Sequence, residues 1–151
     1  MTVISTEQYL SKILLEIYDS ANRLFNDKRW KGSEETFLKL QEEGSVLFAC
    51  SESKPVGFLS YSTKICDCTV ITGLYVTEEY QNKKIATGLM KALLNCRANK
   101  TIFAEVINNA VWAKNFYEKH NFNIISKDYC LSEELKQIIN HNPWSCIYML
   151  S

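Results

Sequence analysis

Residues 73–90 read GLYVTEEYQNKKIATGLM, and this stretch decides the fold. A β-prone run ends near Val76, a polar turn follows, and a helix begins close to Lys84 with Ile85, Leu89 and Met90 on one face. The first turn of such a helix carries N–H groups without internal partners and the positive end of the dipole, an arrangement that binds phosphate. Lys83 and Lys84 add two cations there, and Gln81 and Thr87 add neutral donors. Two cations are mildly unfavourable against the dipole of a helix start, so an anionic ligand explains them better than a solvated surface does. The small residues Ala86 and Gly88 let a ligand or a neighbouring strand approach the backbone closely.

Strand and helix signals continue on both sides. Downstream, Leu93 and Leu94 extend the helical face, residues 102–107 read as a strand, residues 110–119 as a helix, and residues 122–125 and 145–150 as two final strands. Residues 132–139 read as a helical turn between those two strands. Upstream, residues 46–50, 56–63 and 69–76 read as a three-strand meander, with residues 51–55 as a turn and 64–68 as a hairpin. Before the meander, Leu10, Ile13, Leu14, Ile17, Tyr18, Ala21, Leu24 and Phe25 recur at three- and four-residue steps. Ser5 and Gln8 have the spacing of a capping box for that helix. A second helix begins at Ser33, with Phe37, Leu38 and Leu40 inward and Gly44 as its stop. This pattern predicts an α/β (α+β) fold, one domain over residues 1–151, with a mixed, mainly antiparallel sheet flanked by helices.

Composition narrows the function. The chain has 151 residues, 46% of them hydrophobic, enough for one packed core. With 17 basic and 17 acidic residues the net charge is zero, which excludes a nucleic-acid binder that works through its overall field. No apolar run is long enough to span a bilayer, and Glu7 interrupts the N-terminal stretch, so a cytoplasmic protein is expected. Six cysteines, Cys50, Cys66, Cys68, Cys96, Cys130 and Cys146, read as free thiols. Cys66 and Cys68 lack a second pair at zinc-site spacing, and His120 and His141 stand alone, so no metal is expected.

Two segments resemble a known family. Residues 81–86, QNKKIA, resemble the Q/R-x-x-G-x-G/A pyrophosphate motif of the GNAT acyl-CoA-dependent N-acetyltransferases, with Lys84 where the middle glycine stands. Residues 113–122, AKNFYEKHNF, resemble the family's A-x-x-F-Y-E-K-x-G-F segment, with Asn121 in place of glycine. One strand separates the two motifs, as in the family, and with the strand start at Pro55 the resemblance covers residues 45–126.

The resemblance implies acetyl-CoA as cosubstrate and a primary amine, of a small molecule or a protein, as acceptor. It implies that Leu74, Tyr75 and Val76 pair with the pantetheine arm, with the Tyr75 or Val76 amide polarising the thioester carbonyl. Gln81, Asn82, Lys83, Lys84, Ile85, Ala86 and Thr87 would hold the pyrophosphate, and Asn109, Phe116 and Lys119 would complete the cofactor contacts. Asn109 lies one position before the family asparagine, where this chain has Ala110, and also suits a helix cap. Tyr117 matches the tyrosine at the thioester sulfur, the candidate general acid, against the ordinary reading of a core aromatic. No carboxylate lies in residues 69–76, and Glu105 reads as a solvated strand-edge residue outside the catalytic set. Trp30, Trp112 and Trp144 read as core pieces, and Glu78 and Glu79 as solvent-facing. The resemblance allows a homodimer. The competing readings are a CoA-binding sensor without turnover and a thiol or metal protein built on Cys66 and Cys68.

Overall fold

A computed structural model describes residues 2–7, 9–23, 33–64, 68–97, 100–126, 132–136, 139 and 143–151. The strands are β1 (Thr2–Ser5), β2 (Ser45–Ser51), β3 (Lys54–Ser62), β4 (Cys68–Val76), β5 (Thr101–Ile107), β6 (Asn123–Ile124) and β7 (Ser145–Leu150). The helices are α1 (Ser11–Ala21), α2 (Glu34–Glu43), α3 (Ile85–Cys96), α4 (Val111–Lys119) and α5 (Glu133–Lys136). The seven strands form one sheet in the order β1-β2-β3-β4-β5-β7-β6. The β1–β2, β2–β3, β5–β7 and β6–β7 ladders are antiparallel, and β4–β5 is parallel. A parallel pair needs a crossover, and α3 supplies it. The chain forms two compact units, Met1–Tyr61 with Thr72–Ala98, and Ser62–Ile71 with Asn99–Ser151.

In the first unit a short strand, β1, precedes the helices, correcting an order that began with α1. Ser5 is the last residue of β1, and its hydroxyl accepts from the Glu7 N–H at 3.0 Å. It therefore caps no helix; α1 starts at Ser11 without a side-chain cap. Gln8, Leu24 and Phe25 lie outside the described residues. The α2 start follows expectation: Ser33 and Thr36 exchange side-chain and backbone hydrogen bonds, each 3.3 Å. Phe37 is buried and Leu40 half-buried, whereas Leu38 is 49% exposed, because it stands a third of a turn off the Phe37 face. Gly44 ends α2 where an added Cβ would lie 2.6 Å from the Tyr61 carbonyl.

The core of this unit is aromatic. Tyr18, Phe37, Phe58 and Tyr75 form a closed circuit, with centroids 5.3, 5.8, 5.5 and 5.0 Å apart in turn. Edge-on and tilted pairs of this kind contribute roughly 0.5–1.5 kcal/mol each beyond the area they bury. The β2–β3 turn is tighter than the expected 51–55 segment. Glu52 and Ser53 alone form it, both at positive φ, the twist a two-residue hairpin favours.

In the second unit the β5–β7 register assigns the two faces. Phe103, Glu105 and Ile107 share a face with Met149, Ile147 and Ser145; Ile102, Ala104 and Val106 share the other with Leu150, Tyr148 and Cys146. Leu135 and Ile139 pack on the first face with Cys68, Val70, Phe103 and Ile147. Tyr117 of α4 stacks on Tyr148 of the second. Strand β6 is only two residues, shorter than the expected 122–125. Among the described residues no helix is long and apolar enough to cross a membrane.

Candidate active site

The link from β4 to α3 is built by local hydrogen bonds. The Thr77 N–H donates to the Val56 carbonyl at 2.9 Å, and a single 3-10 turn, Glu78–Tyr80, follows. The Gln81 side-chain amide donates back to the Val76 carbonyl at 3.0 Å. Gln81 thus braces the turn. Asn82 and Lys84 both sit at φ 63°, in the left-handed region. Asparagine tolerates that conformation; lysine holds it at a cost of roughly 1–2 kcal/mol. Lys84 occupies the glycine position of the motif, so the backbone shape that glycine serves persists with a lysine in its place.

Lys84 is also the N-cap of α3, with no side-chain cap and no acidic residue in the first turn. The helix start therefore presents its N–H groups and dipole without a protein carboxylate to offset them. Gln81 to Lys84 are exposed, and the Lys83 ammonium lies 5.2 Å from the centre of the Tyr80 ring. Ile85 and Ala86 are buried, so only their backbones remain for a ligand, while Thr87 is half-buried. A Cβ added at Gly88 would meet nothing within 4 Å, which removes the reading that a neighbouring strand needs its smallness. The Tyr75 ring packs on Tyr18 and Phe58, and Val76 is buried, so both side chains serve the core. Leu74 is half-buried.

A further brace was not legible in the sequence. The Arg23 guanidinium grips the Glu78 carboxylate with two contacts, Nε to Oε2 at 2.9 Å and Nη2 to Oε1 at 3.0 Å. The Glu78 N–H donates to the Ser20 hydroxyl at 2.9 Å. Glu78 is thus tied to the end of α1 and does not simply face solvent.

In the second unit, α4 carries the other motif. Its N-cap is Ala110, without a side-chain cap, so the expectation that Asn109 caps the helix fails; Asn109 is exposed. Its neighbour Asn108 is structural, donating from Nδ2 to the Pro143 carbonyl at 3.2 Å. Phe116 and Tyr117 are buried, and Tyr117 contacts the rings of Phe116, Phe122 and Tyr148 at 5.6, 5.2 and 6.0 Å. Asn121 stands at φ 69°, again where the family motif has glycine. Lys119 is exposed at the helix end. Trp112 is 54% exposed and stacks on Phe116, so it is no core piece; Trp144 is half-buried, and Trp30 lies outside the described residues.

Glu105 also differs from expectation. Strand β5 lies between β4 and β7, so Glu105 is no edge residue. Its Oε2 accepts from the buried Ser145 hydroxyl at 2.6 Å, on the face of β5–β7 opposite Tyr148 and Tyr117. Burial pushes the Cys146 thiol and the Tyr148 phenol above their ordinary pKa values. Cys50, Cys68, Cys96 and Cys146 form no disulfide among the described residues, and Cys66, Cys130 and His141 lie outside the described residues. Among the described residues no cluster of three His, Cys, Asp or Glu side chains could hold a metal.

The model of the acetyltransferase (GNAT) family matches residues 12–122, which span both motifs. The chain belongs to the GNAT acetyltransferase family. As a GNAT acetyltransferase it is an acyltransferase. A GNAT-family acetyltransferase from Staphylococcus aureus Mu50 superposes with a TM-score of 0.82 at 16% identity, over 99% of this chain and 98% of that one. The ribosomal-protein-S18-alanine N-acetyltransferase of Escherichia coli gives 0.72 at 18% identity, over 99% and 91%. The paia N-acetyltransferase of Thermoplasma acidophilum, solved in complex with coenzyme A, gives 0.74 at 16% identity, over 99% and 98%. At these identities the likeness is one of fold. No curated protein matches the sequence.

Proposed function

We propose that this GNAT protein is a one-domain, acetyl-CoA-dependent N-acetyltransferase acting on a primary amine of a small molecule or a protein. The observation that carries the reading is the left-handed, uncapped helix start at Lys84, within a turn braced by Gln81 and flanked by Lys83. A strained non-glycine backbone at an exposed helix N-terminus points to an anion that uses it. The N–H groups of residues 84–87 and the Lys84 ammonium would receive the pyrophosphate, with Asn82 and Lys83 beside them. The backbones of Leu74, Tyr75 and Val76 would align the pantetheine arm, as Asn109, Phe116 and Lys119 would on the second motif.

Acetyl-CoA supplies a thioester whose carbonyl accepts the amine and whose sulfur leaves as a thiolate. Holding the two reactants in register is the largest service the chain provides. The Tyr117 phenol donates the proton the departing thiolate takes up. The Glu105 carboxylate, fixed by Ser145 on the opposite face of β5–β7, accepts the proton the amine gives up. The dense ring packing around Tyr117 favours one second reading, a CoA-binding module without turnover.

Thiol release from acetyl-CoA, followed with polyamines, amino acids, aminoglycosides and peptides as acceptors, separates the two. Release above hydrolysis with any amine supports the enzyme. A CoA-induced rise in melting temperature with no release supports the binding module, and no rise at all removes both.

A further inference from the structure

We propose that Glu78 is a positioning residue for the cosubstrate, clamped by Arg23 and Ser20 so that the phosphate turn is held ready before any ligand arrives. This rests on the acetyl-CoA reading of the turn. Residues 81–84 are all exposed, and two of them, Asn82 and Lys84, stand in the left-handed region. Such conformations persist only where the surroundings over-determine them. Beyond the Gln81 brace and the Lys83–Tyr80 contact, the exposed turn has little packing of its own, so its shape depends on how its ends are held. At one end α3 is anchored by the buried Ile85, Ala86 and Leu89. At the other stands the 3-10 turn Glu78–Tyr80, fixed by Thr77 N–H to Val56 at 2.9 Å and by Glu78.

Glu78 makes three directional contacts with the end of α1: the two-pronged pair with Arg23 and the N–H bond to Ser20. Two parallel hydrogen bonds from a guanidinium to one carboxylate fix orientation in a way a single contact does not. Both side chains are substantially exposed, Arg23 at 70% and Glu78 at 39%, so the pair adds little to overall stability. Its consequence is geometric. The Gln81 N–H donates to the Glu78 carbonyl at 3.3 Å, so the clamped residue passes its position directly to the first residue of the phosphate turn.

The test uses the full chain with Arg23→Glu, Glu78→Arg and the double exchange, measuring CoA affinity calorimetrically beside S-acetylpantetheine, which lacks the pyrophosphate. Each single variant is expected to weaken CoA roughly three- to tenfold, the scale of one exposed two-pronged ion pair. S-acetylpantetheine binding and the melting temperature should stay near wild type, KM should rise for acetyl-CoA and not for the amine, and the double exchange should recover most of the loss. Unchanged CoA affinity in the singles, equal losses for both probes, or no recovery in the double overturns the proposal. If the wild-type protein binds no CoA, the cosubstrate reading itself falls, an outcome the variants cannot mimic.

Discussion

Lys84 combines two opposing effects in one residue: its backbone conformation costs free energy and its ammonium attracts anions. Lys84→Gly separates them. Relief of the left-handed strain should raise stability by about 1 kcal/mol, read as a higher urea midpoint, while CoA affinity falls and loses part of its salt dependence. Lys84→Ala retains the strain and should show no gain in midpoint; a gain there would mean the strain argument is wrong. Tyr117→Phe keeps the ring packing and removes only the hydroxyl. Its kcat should fall at least about 100-fold, the lower range of acid catalysis, with KM for acetyl-CoA unchanged. Glu105→Gln should lower kcat by a similar factor, with the loss shrinking as pH rises and more amine is already neutral. An unchanged rate in either variant removes that residue from the mechanism.

Among the elements, those with strong periodicity or clear capping chemistry were legible from the sequence, and those set by tertiary context were not. The α2 start was readable because Ser33 and Thr36 satisfy each other locally. Ser33→Ala should therefore cost about 1 kcal/mol, visible as a lower melting temperature with unchanged CoA affinity. The α3 face and the strands expected at 102–107 and 145–150 were readable for a like reason: a buried stripe or a short, largely apolar run leaves one assignment. Strand β1 was missed because four residues carry too little pattern; its pairing partner, β2, lies more than forty residues away. The interior place of Glu105 was missed because being interior or at an edge is a property of strand order, which the local sequence does not contain. The Arg23–Glu78 clamp joins residues 55 apart, and no spacing rule reaches that far. The turn from β4 to α3 was singled out through its motif, while its left-handed backbone came from the structure alone.

At the scale of the whole molecule, zero net charge leaves no global field for pH to act on near neutrality, so individual groups held by close contacts set the pH limits. Half-buried Tyr9 is one. Its hydroxyl lies 3.4 Å from the Cys50 sulfur, and that hydrogen bond first, then burial, pushes the phenol up to about 12. A folded-state pKa above the unfolded value of 10.0 means the contribution is complete below pH 10 and is lost as pH rises toward 12. Urea unfolding midpoints should accordingly fall between pH 10 and 12, with Tyr9 joining Tyr148 among the tyrosines that ionise late in the absorbance titration. In Tyr9→Phe one late-ionising phenol should be lost, that of Tyr148 should remain, and the alkaline fall should be shallower.

The sheet also narrows at both margins, to four residues in β1 and two in β6. A strand edge recruits foreign chains in proportion to the length of open backbone it offers, and here Val3 and Ile124 are the exposed apolar side chains on those edges. A ladder of two to four residues is a poor template for adding another strand. The protein should accordingly tolerate high concentration without growing intermolecular β-structure, and lengthening β6 with β-branched residues is the change that would forfeit that tolerance.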